Sequence, residues 1–172
     1  MRGYDRTSVE DIAAASGVAT SSLYAAYGTK RGLFLRVFRR YCDGRVALVA
    51  GAVDVESDDS VGLLRDFLAA VVDDCLAHPD RRGCLMLTSL ADLRDRIPEV
   101  EEIAAGAVAS MKVAVTDSLL RTAHAAGRHV RVSDARERAA RAVLASQAVL
   151  HLSRLPLTRA RLMTMGEALL PT

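Results

Sequence analysis

Residues 8–27 read SVEDIAAASGVATSSLYAAY, and the fold is decided there. Val9, Ile12, Ala13 and Ser16 recur at spacings of three and four, the mark of one helix face. Thr7 followed three residues later by Glu10 reads as a capping box that opens this helix over 9–16. Gly17 ends it, because glycine enters the left-handed region without a Cβ penalty. A second short helix is expected over 20–26. Two helices crossing at a tight turn need a small residue where they approach, a residue tolerant of positive φ in the turn, and an apolar residue on the second helix to lock onto the first. Ala13, Gly17 and Leu23 meet these needs at the right spacing, with Ile12 and Val18 beside them. The second helix then exposes Thr20, Ser21, Ser22 and Tyr24, groups able to approach base edges and phosphates in a major groove.

Working outward, a third helix starts after Thr29 and runs to about residue 52, with Leu33, Phe34, Val37, Phe38, Tyr41 and Cys42 on one stripe. The polar run 54–60 is a connection. Val61, Leu64, Leu68, Val71, Val72 and Cys75 mark a fourth helix ending near His78-Pro79. A shorter, buried helix covers 83–93. Pro98 suits the first turn of a long helix to about residue 126, closed by Gly127. Ser133 or Asp134 caps a helix over about 134–154, and Pro156 separates it from a last one over about 157–169. The expected fold is all-α, with an N-terminal helix-turn-helix domain followed by an antiparallel helical domain.

Composition agrees. Of the 172 residues 51% are hydrophobic and only 4% aromatic, which suits a helical chain with a real core and argues against disorder. Residues 1–45 hold eight Lys/Arg against four Asp/Glu, net +4, while the rest holds 15 against 17, net −2. A basic head on a slightly acidic body points to an anionic partner for the head. Charges interrupt the apolar stretches, so no membrane span is expected, and the first residues carry no signal-peptide core. The chain is expected in the cytoplasm. Cys42, Cys75 and Cys84 read as buried thiols in that compartment; a redox sensor is the alternative, with Arg81 and Arg82 near Cys84 to lower a thiol pKa. His78, His124, His129 and His151 are dispersed, so no metal site is expected. Nucleophile-elbow, Walker and dinucleotide glycine patterns are missing, so neither cofactor nor catalysis is expected.

The segment around the turn resembles the TetR family of regulators. The resemblance rests on Gly3-Tyr4, Thr7-Ser8-Val9, Asp11-Ile12-Ala13, Gly17-Val18, Ser22-Leu23-Tyr24, Tyr27, Lys30 and Leu33-Phe34. It implies a DNA-binding helix-turn-helix domain over 1–45 and a ligand-binding and dimerisation domain over 46–172. It also implies a homodimer on a palindromic double-stranded DNA operator, released when a small-molecule effector binds the body. Thr7, Thr20, Ser21, Ser22, Tyr24 and Lys30 are the candidate DNA contacts, while Tyr27 is expected to pack.

The sequence departs from the family pattern in three places. The family's domain starts with a further helix before Gly-Tyr, which this chain lacks; in the family it covers Ile12, Leu23 and Phe34. Ala19 stands where a capping serine is usual, so Thr20 caps or the cap is lost. Ala25 and Ala26 replace residues that are often polar. The alternative function is therefore a small-molecule-binding dimer that has lost DNA binding through N-terminal truncation.

In the body, Ala140, Val143, Leu144, Gln147, Leu150 and His151, then Leu162, Met165 and Leu169, form stripes wide enough to bury both inward and against a partner. The resemblance makes these last two helices the dimer interface. Candidate effector contacts among the middle helices are Phe67, Val71, Met86, Ser89, Leu90, Met111, Val115 and Gln147, a set that suggests a hydrophobic or amphipathic ligand.

Overall fold

The computed structural model describes residues 3–78 and 83–171. Pro79 as a helix end, and Arg81 and Arg82 beside Cys84, lie outside the described residues. Within them the chain forms eight helices and no strand: α1 (Val9–Ser16), α2 (Thr20–Tyr27), α3 (Lys30–Val53), α4 (Ser60–Leu76), α5 (Leu85–Leu93), α6 (Glu99–Ala125), α7 (Val132–Leu152) and α8 (Arg159–Glu167).

Local chemistry explains most boundaries. Gly17 closes α1 at φ 70°. Thr29 caps α3, its side chain accepting from the Gly32 amide, and Asp59 caps α4 by accepting from Val61. Two expected caps are corrected. Ser8, not Thr7, opens α1, in a capping box with Asp11 rather than Glu10; both reciprocal bonds are 2.9 Å. Thr7 instead donates its hydroxyl to the Gly3 carbonyl at 2.8 Å. Helix α7 begins at Val132 after Arg131, with no side-chain cap, so neither Ser133 nor Asp134 serves. Asp134 sits in the first turn, where its charge favours the helix dipole, and bonds to Arg131 at 3.0 Å.

Helix α6 is the centre of the body, packed along α3 and α7. Val100, Ala104, Ala107, Met111, Val115 and Leu119 make its buried stripe. Between Ile103 and Leu120 only Lys112 and Asp117 carry charge, and an 18-residue window of α6 has mean hydropathy 1.4. Contrary to the sequence expectation, two charges do not take this helix below the length and apolarity needed to cross a membrane. Its apolar stripe faces protein on both sides, the pattern of a core helix. Ser118, fully buried on α6, donates to the Val53 carbonyl at 2.7 Å and so satisfies an acceptor at the C-terminus of α3. Helix α4 lies against α3, α7 and α8. At Gly166 a Cβ would stand 2.6 Å from Leu68 Cδ2 and 2.9 Å from Val149 Cγ2, so only glycine lets α8 sit this close to α4 and α7.

Candidate nucleic-acid interface and the body beneath it

The head is α1, the turn, α2 and the start of α3. Its packing is thin. Val9, Ala13 and Leu33 are buried, but α2 buries none of its residues, Leu23 and Ile12 are half-buried, and Val18 is exposed. A shallow groove lined by Thr7, Asp11, Ile12, Ala15 and Ser16 runs along α1.

Of the six candidate contacts, Ser21, Ser22 and Tyr24 are exposed on α2, and Thr20 and Thr7 are half-buried. Tyr24 is 43% exposed; Tyr27, expected to pack, is 39% exposed and differs little from it. The Lys30 ammonium lies 4.4 Å from the centroid of the Tyr4 ring, a cation–π contact that positions the charge without neutralising it. Tyr4 meets Phe34 edge-on at 5.0 Å, and Phe34 stacks on Phe38 at 5.7 Å. This aromatic run leads from the head into the core.

Ala19 stands at the N-cap of α2 with no side-chain hydrogen bond, so Thr20 does not replace the missing cap. The Ser22 amide turns back to the Ala19 carbonyl at 3.0 Å, while no side chain caps the amides before it at the positive end of the helix. Ala19→Ser is expected to stabilise the fold by about 1 kcal/mol, seen as a higher midpoint in urea unfolding. An unchanged midpoint would mean that the serine hydroxyl does not reach the Ser22 amide.

Among the described residues, two ion pairs tie the head to the body. Asp5 accepts two hydrogen bonds from Arg96, at 3.0 and 2.9 Å, and Arg31 pairs with Glu99 at the start of α6. The Arg96 guanidinium bonded to Asp5 holds its carboxyl below the usual carboxylate range. Neither pair was visible in the sequence, because the partners lie 91 and 68 residues apart. Helix α3 runs unbroken through residues 45 and 46, where the two domains were expected to meet.

In the body, Phe67, Val71, Met86, Met111 and Val115 are packed solid, none more than 1% exposed. Ser89 is buried; Leu90 is half-buried and faces a shallow surface groove beside α6. Gln147 is occupied among Ser146, Met111 and Cys84, at 3.5, 4.0 and 3.9 Å. Another concavity is lined by none of these eight residues. It has a volume of about 560 Å³ and is walled by α3 (Val37, Arg40, Tyr41, Gly44, Arg45, Leu48), the end of α4 (Asp74, Cys75, His78), Gly83 and Leu85, and the end of α7 (Leu150, Ser153). All three cysteines are buried and free. Burial pushes the Cys42 thiol up to about 11 and raises Cys75, which keeps both protonated at neutral pH and unreactive as nucleophiles. Among the described residues no three His, Cys, Asp or Glu side chains gather as a metal site.

On the outer face of α7, Leu144 is 69% exposed, His151 is exposed, and Ala140 and Ala148 are half-buried, giving a stripe spaced by three and four that Leu155 continues. Farther along the chain Met165 is half-buried and Leu169 is exposed. Val143, Leu150 and Leu162 face inward.

The pattern of the family described as "Bacterial regulatory proteins, tetR family" matches residues 1–37. The helix-turn-helix segment thus carries the tetR pattern. The HTH-type transcriptional regulator YezE of Bacillus subtilis (strain 168) is 31% identical over 99 residues, 57% of this chain and 50% of that protein. The HTH-type transcriptional repressor ComR of Escherichia coli (strain K12) is 31% identical over 93 residues, 54% of this chain and 44% of that one. The chain thus spans about half the length of the curated relatives it matches. Among solved structures, the TetR family transcriptional regulator PfmR from Thermus thermophilus has a TM-score of 0.62 at 23% identity, with 98% of this chain and 90% of that chain covered. A putative TetR transcriptional regulator from Rhodococcus sp. RHA1 has a TM-score of 0.60 at 27% identity, covering 98% and 88%. The tetR fold therefore extends through the body as well as the head.

Proposed function

We propose that this chain is a tetR-type DNA-binding transcriptional repressor that acts as a homodimer and leaves a palindromic operator when a small molecule binds its body. The observation that carries the reading is the helix-turn-helix itself: α2 presents Ser21, Ser22 and Tyr24 outward beside Lys30, in a head of net positive charge. Thr7 and Thr20 flank that face. Two heads related by a twofold axis read successive major grooves, which is why the operator is expected to be an inverted repeat. The exposed stripe on α7, with Leu155 beyond it and with Leu169 also exposed, supports pairing through the last two helices, since an apolar stripe on a surface helix marks an interaction face.

The test is fluorescence anisotropy with duplex DNA from upstream of the protein's own coding sequence. Affinity should fall at least tenfold between 50 and 200 mM salt, about 0.9 in log slope for each phosphate neutralised. Tyr24→Ala should weaken binding to every sequence without changing the mass of the dimer. Unchanged affinity in that variant removes Tyr24 from the contact surface. A second reading, a ligand-binding dimer without DNA binding, draws on one observation: α2 has neither a buried residue nor a side-chain cap. Intact dimers with no salt-dependent DNA binding would favour it.

A further inference from the structure

The concavity between α3, the end of α4 and the end of α7 has the size of a small-molecule site. Its apolar lining includes Leu48, the buried Leu150 and the exposed Val37. Into this wall is set a buried charge: Arg45 is only 8% exposed. Its Nη1 pairs with Asp74, yet its Nε is buried with no hydrogen-bond partner. A guanidinium carries five donors, and burying one unsatisfied is unfavourable unless something else completes it. Arg40 on the same wall adds a second positive charge, and Asp74 is the one carboxylate among the described lining residues, so the described lining is net positive.

We infer that this groove binds an amphipathic carboxylic acid, its carboxylate held at the Arg45–Arg40 end and its apolar body lying along Leu48 and Leu150. With Nη1 on Asp74 and Nε buried, Nη2 of Arg45 and the guanidinium of Arg40 are left to meet a carboxylate, and the apolar remainder of the wall favours an amphipathic acid over a small, fully hydrated anion such as free phosphate. The site is distinct from the packed middle-helix set, and it gives the proposed effector a chemical class. The effect on DNA rests on the repressor reading; the binding itself does not.

Gly44 supplies an independent handle. A Cβ there meets nothing within 4 Å, so a larger side chain enters the groove rather than the core. The experiment is titration calorimetry on the full chain, without DNA, using octanoate and 3-phenylpropanoate, each against its neutral amide. The acids should bind and the amides should bind at least tenfold more weakly. Arg45→Met should remove that preference, and Gly44→Leu should abolish binding of acids and amides together while keeping wild-type helicity. If Arg45→Met fails to fold, the acid–amide comparison and Gly44→Leu still decide. Amides binding as well as acids, no acid binding at all, or undiminished binding in Gly44→Leu each overturn the inference. Operator binding is read separately by anisotropy, so failure of the repressor reading shows as absent DNA binding with the calorimetry intact.

Discussion

Leu144→Glu is expected to turn the dimer into a monomer without unfolding it. Leu144 is 69% exposed on α7, so in a single chain the new carboxylate is solvated and costs the fold little. In the twofold pairing proposed above the same position faces a partner's α7, and two carboxylates would then have to be desolvated near each other. Removing an unpaired charge from water costs several kcal/mol, enough to weaken dimerisation by at least two orders of magnitude. Sedimentation equilibrium at micromolar protein should show dimers for the wild type and monomers for the variant, with unchanged far-ultraviolet circular dichroism. DNA affinity should fall with it, because one head alone reads only one half-site. A variant that stays dimeric would move the interface away from the α7 stripe.

That stripe was legible in the sequence only as a set of apolar positions. Ala140, Val143, Leu144, Gln147, Leu150 and His151 lie on one broad face, and periodicity does not say which edge turns inward. Packing against α4 and α6 sends Val143 and Leu150 in and leaves Leu144 and His151 out. The head was more readable because its signals are local. Gly17 fixed the turn by its own backbone freedom, and α1 falls at Val9–Ser16 as the periodicity predicts. The cap was misplaced by one residue because Thr7-x-x-Glu10 and Ser8-x-x-Asp11 overlap, and each satisfies the same pattern. The structure chooses the second because Thr7 is already engaged with Gly3.

The groove was not legible at all. Arg45 follows Arg36, Arg39 and Arg40 in a run that looks like one solvated face, yet it alone of the four is buried. Its partner Asp74 is 29 residues away and Leu150 is farther still. No local pattern encodes a cavity assembled from three helices. The apolar residues of the middle helices suggested one instead, and long apolar side chains at helical spacing are what a solid core also requires.

Phe67→Ala separates these two meanings of an apolar side chain. Phe67 is 0% exposed on α4 and belongs to the main core cluster with Val71, Met111 and Val115. If it is packed core, truncation loses the transfer free energy of the ring and leaves a void, at a cost of about 3–5 kcal/mol. In a chain of this length each kcal/mol lowers the melting temperature by roughly 2–4 °C, so a fall on the order of 10 °C is expected in thermal unfolding. Binding of octanoate at the Arg45 groove should survive, measured below the new midpoint. A residue bordering open space behaves differently: it already lacks neighbours on one side, so its removal forfeits fewer contacts. A loss of less than about 1 kcal/mol, coupled to weakened octanoate binding, would put the effector among Phe67, Val71 and Met111 after all, and would leave Arg45 as a structural ion pair with Asp74.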